Sequence, residues 1–229
     1  MKKIGLIGGI TPESTILYYQ VLNQLNSENI GKPHSAEVII NSFDFGKIAK
    51  LQKEGRWDVL DNMMAEASKN LENAGANCIL ICANTMHLCI DAVRKAVKIP
   101  VIHIAEVTSK KIIEGKLKKV ALLGTKYTME KDFFIDILTS FGIETVVPEL
   151  EERNIIHAII YDELSAGVIK PVSKEKYVKI INRLINSGVE GVILGCTEIP
   201  LLIQQEDVAV PIFDTTVIHA NAAFEFATK

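Results

Sequence analysis

Hydrophobic residues in this chain fall into two kinds of run that alternate along its length. Short, nearly unbroken runs rich in β-branched residues (KKIGLIG, AEVIINSF, CILIC, KKVALLG, GVILG) are separated by longer stretches such as ESTILYYQVLNQLN and EKYVKIINRLINSG, where apolar residues recur every three or four positions. The first kind predicts strands buried on both faces and the second predicts amphipathic helices. Their alternation is the pattern of parallel βαβ units, so the fold class is α/β. Gly75 and Gly188 stand just ahead of two of the strand runs, where glycine closes a preceding helix.

The second half of the chain can be laid over the first. KKIGLIGGITPESTILYYQVL matches KKVALLGTKYTMEKDFFIDIL, LENAGANCILICANTMH matches LINSGVEGVILGCTEIP, and KIPVIHIAEVT matches AVPIFDTTVIH. Gly8 then pairs with Gly124, Gly75 with Gly188 and Pro100 with Pro211. Any two βαβ units share glycine and valine patterns, but three matching segments in the same order point to internal duplication. The expected architecture is two pseudo-symmetric parallel-sheet α/β lobes with the active site between them. Because PVIH and PIFD occupy equivalent places, the first lobe is expected at residues 1–103 completed by 214–229. The second is expected at 104–213, with the chain crossing between lobes twice.

Composition narrows the function classes. The chain has 229 residues, 48% of them hydrophobic and 23% charged, with a formal net charge of -3. No lysine or arginine block exceeds short runs such as Lys116 to Lys119, which leaves no electrostatic footprint for nucleic acid or an anionic membrane and favours a small-molecule partner. No apolar run approaches the ~18 residues that span a bilayer. The start, MKKIGLIGG, lacks a signal peptide's apolar stretch and cleavage site, so a cytoplasmic location is expected. The four cysteines, Cys78, Cys82, Cys89 and Cys196, have no zinc-ligand spacing. No metal site is expected, and a chain of this size needs no disulfide.

The overlay sorts those cysteines. Cys82 falls on Gly195, Ala83 on Cys196, Asn84 on Thr197 and Thr85 on Glu198. Neighbours on an extended strand point to opposite faces, so Cys82 reads as core while Cys196 and Ala83 face the functional side. Cys196 ends GVILG and precedes a helical pattern near Glu198, where backbone N–H groups and the positive end of a helix are expected to favour a thiolate. Asn84, Thr85 and Thr197 offer hydroxyl, amide and backbone donors that suit a substrate α-carboxylate or ordinary N-capping. Glu198 and His87 fit assistance in proton transfer equally with capping or a solvated position. His103 and His219 are expected to make structural hydrogen bonds. The opening turn GLIGGITPEST has the spacing G-x-x-G-G rather than G-x-G-x-x-G, and its helix begins through Pro12 and Glu13, which argues against a dinucleotide site.

These residues also carry a family resemblance over essentially the whole chain. IGLIGGITPESTILYY, SFDF, CANTMH, LLGTKYTMEKDF, LGCTEIPLL and PIFDTTVIHA resemble the aspartate/glutamate racemase family, most of all its L-aspartate/glutamate-specific amino-acid racemase branch. The resemblance implies a cofactor-independent enzyme with no metal, often a homodimer, acting on aspartate, glutamate or a related amino acid. In most members a cysteine from each lobe flanks the substrate α-carbon, and in the L-specific branch the first-lobe position can be threonine. Here that position is Ala83, a departure from both patterns, which leaves Cys196 as the one acid/base. The resemblance further implies that Ile10, Thr11, Gln52, Thr125, Tyr127 and Thr128 contact substrate, together with Asn84, Thr85, Thr197 and Glu198. The branch's usual MSW is replaced by ITP in the opening turn.

A dicarboxylate substrate should also meet a cation, for which Arg56, Lys126 and Lys170 are available. Two alternatives stay open beside the racemase. A single-cysteine decarboxylase of the same superfamily would use the one thiol to reprotonate a carbanion, and a non-catalytic amino-acid-binding homologue would keep only the pocket.

Overall fold

The computed structural model describes residues 1–229. They form two compact units, Met1–Ile104 with Thr216–Lys229 and Ala105–Thr215. In chain order the first unit supplies β1 (Ile4–Gly8), α1 (Pro12–Asn29), β2 (Val38–Ser42), α2 (Phe45–Lys53), α3 (Trp57–Asn73), β3 (Cys78–Ile81), a 3-10 segment Thr85–Cys89, and α4 (Ile90–Ala96). The second holds α5 (Ile104–Glu114) from its second residue on, β4 (Lys119–Gly124), α6 (Lys126–Glu130), α7 (Asp132–Ser140), β5 (Glu144–Val146), α8 (Leu150–Asp162), α9 (Pro171–Asn186), β6 (Gly191–Gly195) and β7 (Ile212–Asp214). The final helix, α10 (Thr215–Thr228), returns to the first unit.

Each unit is built on one parallel sheet. The strand orders are β2-β1-β3 and β5-β4-β6-β7. Val101 makes a parallel bridge to Ile79, so it stands to β3 as β7 stands to β6. The central strands are buried along almost their whole length, whereas β2 and β5 are edge strands and remain partly open. Burial on both faces therefore holds for the middle of each sheet and fails at its edge. Gly75 and Gly188 follow α3 and α9 at φ +93° and +90°, the left-handed conformation that ends a helix and that glycine adopts without strain.

Strand alternation divides the first unit's core into two faces. Cys78, Leu80 and Cys82 join Ile4 and Leu6 against Tyr18 and Leu22 of α1 and Ala220, Ala223 and Phe224 of α10. Ile79, Ile81 and Ala83 turn to the other side, against Leu60, Met64, Ala67 and Leu71 of α3. Cys82 is thus a core residue with no exposure, and burial raises its thiol pKa. In the second unit Val192 and Leu194 pack with Ala121 and Leu123 against α8 and α9, and Cys196 sits at the rim of that cluster. Ala83 and Cys196 therefore leave corresponding faces of the two sheets.

The units differ in their first connection. Where α1 is continuous, the matching segment of the second unit breaks into α6 and α7 at Lys131, whose backbone is extended at φ -99°, ψ 146°. α10 is pinned by a histidine with both ring nitrogens engaged. The Tyr18 hydroxyl lies 2.8 Å from Nδ1 of His219, and Nε2 of His219 lies 2.8 Å from the Ile102 carbonyl. Since the carbonyl can only accept, Nε2 carries the proton and Nδ1 accepts from the tyrosine. No helix is long and apolar enough to cross a membrane.

At the ends of β4 and β6 the backbones approach too closely for side chains. A Cβ on Gly195 would lie 2.9 Å from the Leu123 carbonyl oxygen and 3.1 Å from Thr128 Cγ2. A Cβ on Gly124 would lie 2.9 Å from the Gly195 carbonyl oxygen. Gly195→Ala is expected to cost about 1–3 kcal/mol through overpacking, seen as a lower urea midpoint with an unchanged slope. Gly46→Ala in the first turn of α2, where the nearest atom is Asp44 Oδ1 at 3.4 Å, should instead stabilise by up to about 1 kcal/mol through helix propensity. Equal midpoints for the two variants would show that the strand ends relax freely.

Candidate active site

In the second unit β4 and β6 run in register to the pair Gly124 and Gly195, so the next residues, Thr125 and Cys196, leave the sheet side by side at its carboxyl end. That end is where open α/β sheets place ligands. Thr125 caps α6, its Oγ1 accepting from the Thr128 N–H at 3.3 Å. Its hydroxyl also lies 3.3 Å from that of Thr128. Cys196 Sγ donates to Glu198 Oε2 at 2.9 Å, and Thr197 Oγ1 donates to the same oxygen at 2.8 Å. Glu198 is only 6% exposed, so this carboxylate is a buried acceptor shared by a thiol and a hydroxyl.

That geometry corrects two expectations from the sequence. The segment after Cys196 is a single 3-10 turn, Ile199–Leu201, rather than a longer helix, and Glu198 makes no side-chain cap bond to it. The thiol is accordingly not lowered. Burial pushes it well above its ordinary value, the Glu198 carboxylate adds to the rise by charge and hydrogen bonding, and the backbone N–H groups of Glu198 and Thr197 oppose it without prevailing. Cys196 is therefore a neutral, donating thiol at neutral pH.

Two tyrosines that the sequence did not single out share this environment. Burial raises the Tyr161 hydroxyl to about 12, with further contributions from Tyr127, Cys196 and Glu198. Tyr177 is raised by burial and then by Cys196 and Glu198. Both lie at helical core spacing on α8 and α9, a pattern that reads as packing, and no local motif marks them. Only the folding of α8 and α9 onto β6 brings them to the thiol.

The first unit places the matching residues at the carboxyl ends of β1 and β3. Thr11 caps α1 by accepting from the Ser14 N–H at 3.4 Å, and Thr15 Oγ1 accepts from the Gly9 N–H at 2.8 Å. Gly9 has φ +75°, and a Cβ there would lie 2.2 Å from the Phe43 carbonyl oxygen, so this turn requires glycine. Ile10, Ala83 and Met86 fall in one apolar cluster, and Gln52 on α2 reaches it through a contact from Nε2 to Met86 Sδ at 3.2 Å. Asn84 precedes the 3-10 segment that Thr85 begins, with helical backbone and no side-chain cap bond. Of the candidate caps, Thr11 and Thr125 thus make the cap bond, Asn84 and Glu198 make none, and Thr197 donates to Glu198 instead.

His87 is neither a cap nor a solvated residue. It is wholly buried, with Nδ1 3.0 Å from the Ala83 carbonyl and Nε2 3.2 Å from the Ile104 N–H. The partners fix the tautomer: Nδ1–H donates and Nε2 accepts, which leaves no site for relaying a proton. The His87 ring lies 4.7 Å from that of His103 and 5.6 Å from that of His219. No three His, Cys, Asp or Glu side chains are grouped to hold a metal. Of the cations proposed for a substrate carboxylate, Arg56 forms a two-pronged bond with Asp58 at 2.9 Å for each arm, and Lys170 binds Glu163 at 3.2 Å. Lys126 is half-buried at the start of α6, where its backbone N–H donates to His157 Nδ1.

Comparisons with known proteins bear on the chain as a whole. The family described as Asp/Glu/Hydantoin racemase matches residues 7–223. A crystal structure of an aspartate racemase homologue from Pyrococcus horikoshii OT3 is 42% identical, covers 100% of both chains and superposes with a TM-score of 0.88. A Yersinia pestis structure provisionally assigned as an Asp/Glu racemase is 43% identical over 100% of both chains, with a TM-score of 0.94. The broad specificity amino-acid racemase RacX of Bacillus subtilis is 24% identical over 96% of this chain and 95% of its own length.

The three buried imidazoles set a pH limit on folding. Burial lowers His87 to about 4, His103 to about 2 and His219 to about 3; Arg94 adds to the lowering of His87; His87, Arg94 and His219 add to that of His103; and His87 adds to that of His219. In the unfolded chain each titrates near 6.5, so below that pH the unfolded state binds more protons than the folded one. Stability should be full above pH ~6.5 and fall below it, by up to about 1.4 kcal/mol per pH unit for each histidine. Urea midpoints at pH 7 and pH 5 test this. Equal midpoints would show that the imidazoles are protonated in the fold.

Proposed function

The chain belongs to the Asp/Glu/hydantoin racemase family, and we propose that it is a cofactor-independent amino-acid racemase in which Cys196 is the one positioned acid and base at the substrate α-carbon. The hydrogen-bonded pair of Cys196 and Glu198 carries this reading. Racemisation requires a proton to leave one face of the α-carbon and another to arrive at the opposite face. A neutral thiol held against a carboxylate is a ready donor. To act as a base, Cys196 passes its proton to Glu198, and the thiolate so formed takes the α-proton; in the reverse direction the thiol protonates the carbanion and Glu198 returns its proton to sulfur. Thr197, bonded to the same carboxylate oxygen, holds it in place throughout.

The position that matches Cys196 is Ala83, whose methyl group neither gives nor takes a proton. A positioned acid or base contributes ~10²- to 10⁴-fold, so its absence costs about 3–5 kcal/mol of transition-state stabilisation, and a solvent proton completes inversion slowly. The names of RacX and of the Pyrococcus horikoshii homologue support an amino acid as substrate. A second reading follows from the single neutral thiol: loss of CO₂ from a malonate-type substrate leaves a carbanion that one thiol can protonate from one face. Enantiomer formation from amino acids, set beside CO₂ release from malonates, separates the two. A homodimer is proposed on the resemblance alone, and sedimentation as a monomer at all practical concentrations would remove it.

The asymmetry yields a kinetic signature. In deuterated buffer one enantiomer of a true substrate should lose its α-proton faster than the opposite enantiomer appears, because Cys196 serves one face and the position that matches it, Ala83, carries no acid or base. Cys196→Ser should abolish both processes, and Glu198→Gln should slow exchange by ~10²-fold or more. Ala83→Thr or Ala83→Cys should speed inversion without equally speeding exchange. Equal exchange and inversion rates in the natural protein, with no gain from either replacement, would show that another residue supplies the second proton.

A further inference from the structure

Resting on the amino-acid racemase reading above, we infer that His157 is a positioning residue for Cys196: its neutral ring holds the first turn of α6 through the Lys126 N–H, and protonation of the ring releases that turn. The turn stands next to the thiol. Thr125 leaves β4 beside Cys196, and Thr128, bonded to Thr125, packs on Gly195, the residue before Cys196. The helix that begins there, α6, is only five residues long, and so short a helix has little stability of its own. Its opening N–H groups therefore need partners. That of Thr128 is bonded by Thr125 Oγ1 at 3.3 Å, within the turn, and that of Lys126 by Nδ1 of His157, also at 3.3 Å. The second bond comes from another helix, α8, and ties the turn to it.

The tie depends on the charge of the ring. A backbone N–H can only donate, so Nδ1 accepts and the ring is neutral, with its proton on Nε2. A proton on Nδ1 would set donor against donor and break the bond. Burial lowers the pKa of His157 and the charge of Lys126 lowers it further, while Glu130 and Asp162 oppose them, so the ring charges only in acid. Lys126 and Glu130 face it from α6, and Arg153 of α8 holds Glu130 at 3.0 Å. On α8 itself Tyr161 stands one turn further on, its ring 4.6 Å from that of His157. From α9, Tyr177 donates to the Ile156 carbonyl at 3.4 Å, and Arg183 is paired with Glu149 and Glu152. Lys119 of β4 is paired with Glu144, and the 3-10 segment Leu164–Ala166 carries no titratable group. Tyr161 and Tyr177 pack in the same cluster as Cys196. One ring thus touches both the turn beside the thiol and a phenol of the cluster that the thiol packs on.

Two measurements read the tie and its effect separately. The first is the protection of the Lys126 amide against hydrogen exchange, followed by NMR at pH 7 and pH 5. Protection should fall roughly 10-fold more in the natural protein than in His157→Asn, whose side-chain oxygen can accept the same bond and does not titrate. The second is the pH profile of amino-acid α-proton exchange in deuterated buffer. His157→Phe keeps a ring beside Tyr161 but offers no acceptor, and it should lower kcat roughly 10-fold at pH 7 with little change in KM. His157→Asn should recover most of that loss and carry its activity to lower pH than the natural protein does. Equal pH dependence of Lys126 protection in the natural protein and His157→Asn would overturn the inference, whatever the activities. So would matching pH profiles of α-proton exchange for His157→Phe and His157→Asn, with the racemase reading left intact. If no amino acid exchanges its α-proton while Lys126 protection tracks His157, the racemase reading falls and the tie between α8 and α6 stands.

Discussion

Two glycines at the paired ends of β4 and β6 leave no room for a side chain, and the position of the Cys196 thiol depends on that closeness. With the backbones nearly in contact at Gly124 and Gly195, the chain leaves both strands at the same level of the sheet. Thr125 and Cys196 emerge together, and the Thr128 side chain closes over the glycines. The short turn beyond Cys196 then folds back tightly enough to bring Glu198 onto Sγ. Parallel strand pairing fixes the level and the missing Cβ atoms fix the distance, so the thiol and carboxylate are held by backbone geometry rather than by flexible side chains.

The two sheets use one plan for different chemical ends. At the second, a buried carboxylate holds a thiol and a hydroxyl on one oxygen, and two tyrosine hydroxyls are crowded into the same low-dielectric surroundings. At the first, the corresponding strand end carries a methyl group, and His87, bonded to the Ala83 carbonyl, spends both nitrogens on backbone groups. The first end thus carries an apolar group at this position, whereas a thiol, a carboxylate and two phenols gather at the second. The neutral resting thiol follows from burial winning over two backbone N–H groups.

Much of this was legible in the sequence because parallel βαβ units write a strong alternating pattern. The runs KKIGLIG, CILIC, KKVALLG and GVILG became the central strands, and the overlay placed Ala83 opposite Cys196 and sent Cys82 into the core. The α/β fold, the parallel sheets and the family were all readable from those segments. The thiol's charge state was not, because it depends on how much water the fold removes and on a carboxylate two residues away whose direction the sequence leaves open. His87 was ambiguous for a related reason: its partners are the carbonyl of Ala83 and the N–H of Ile104, and no motif records a bond to backbone. Tyr161 and Tyr177 looked like ordinary core positions, which they are, and their closeness to Cys196 arises only when α8 and α9 pack on β6.

The return of α10 to the first unit has a consequence for how the protein is made. Until α10 is synthesised, the face formed by Ile4, Leu6, Leu80 and Cys82 lacks the cover of Ala220, Ala223 and Phe224. All of Ala105–Thr215 must be translated in the interval. At about 5–20 residues per second that wait is on the order of ten seconds. The second unit completes its sheet only at the end of that interval, with β7, while the older first unit has waited throughout with an apolar surface bare. The nascent chain is therefore most exposed to aggregation and to chaperones through the segment that left the ribosome first.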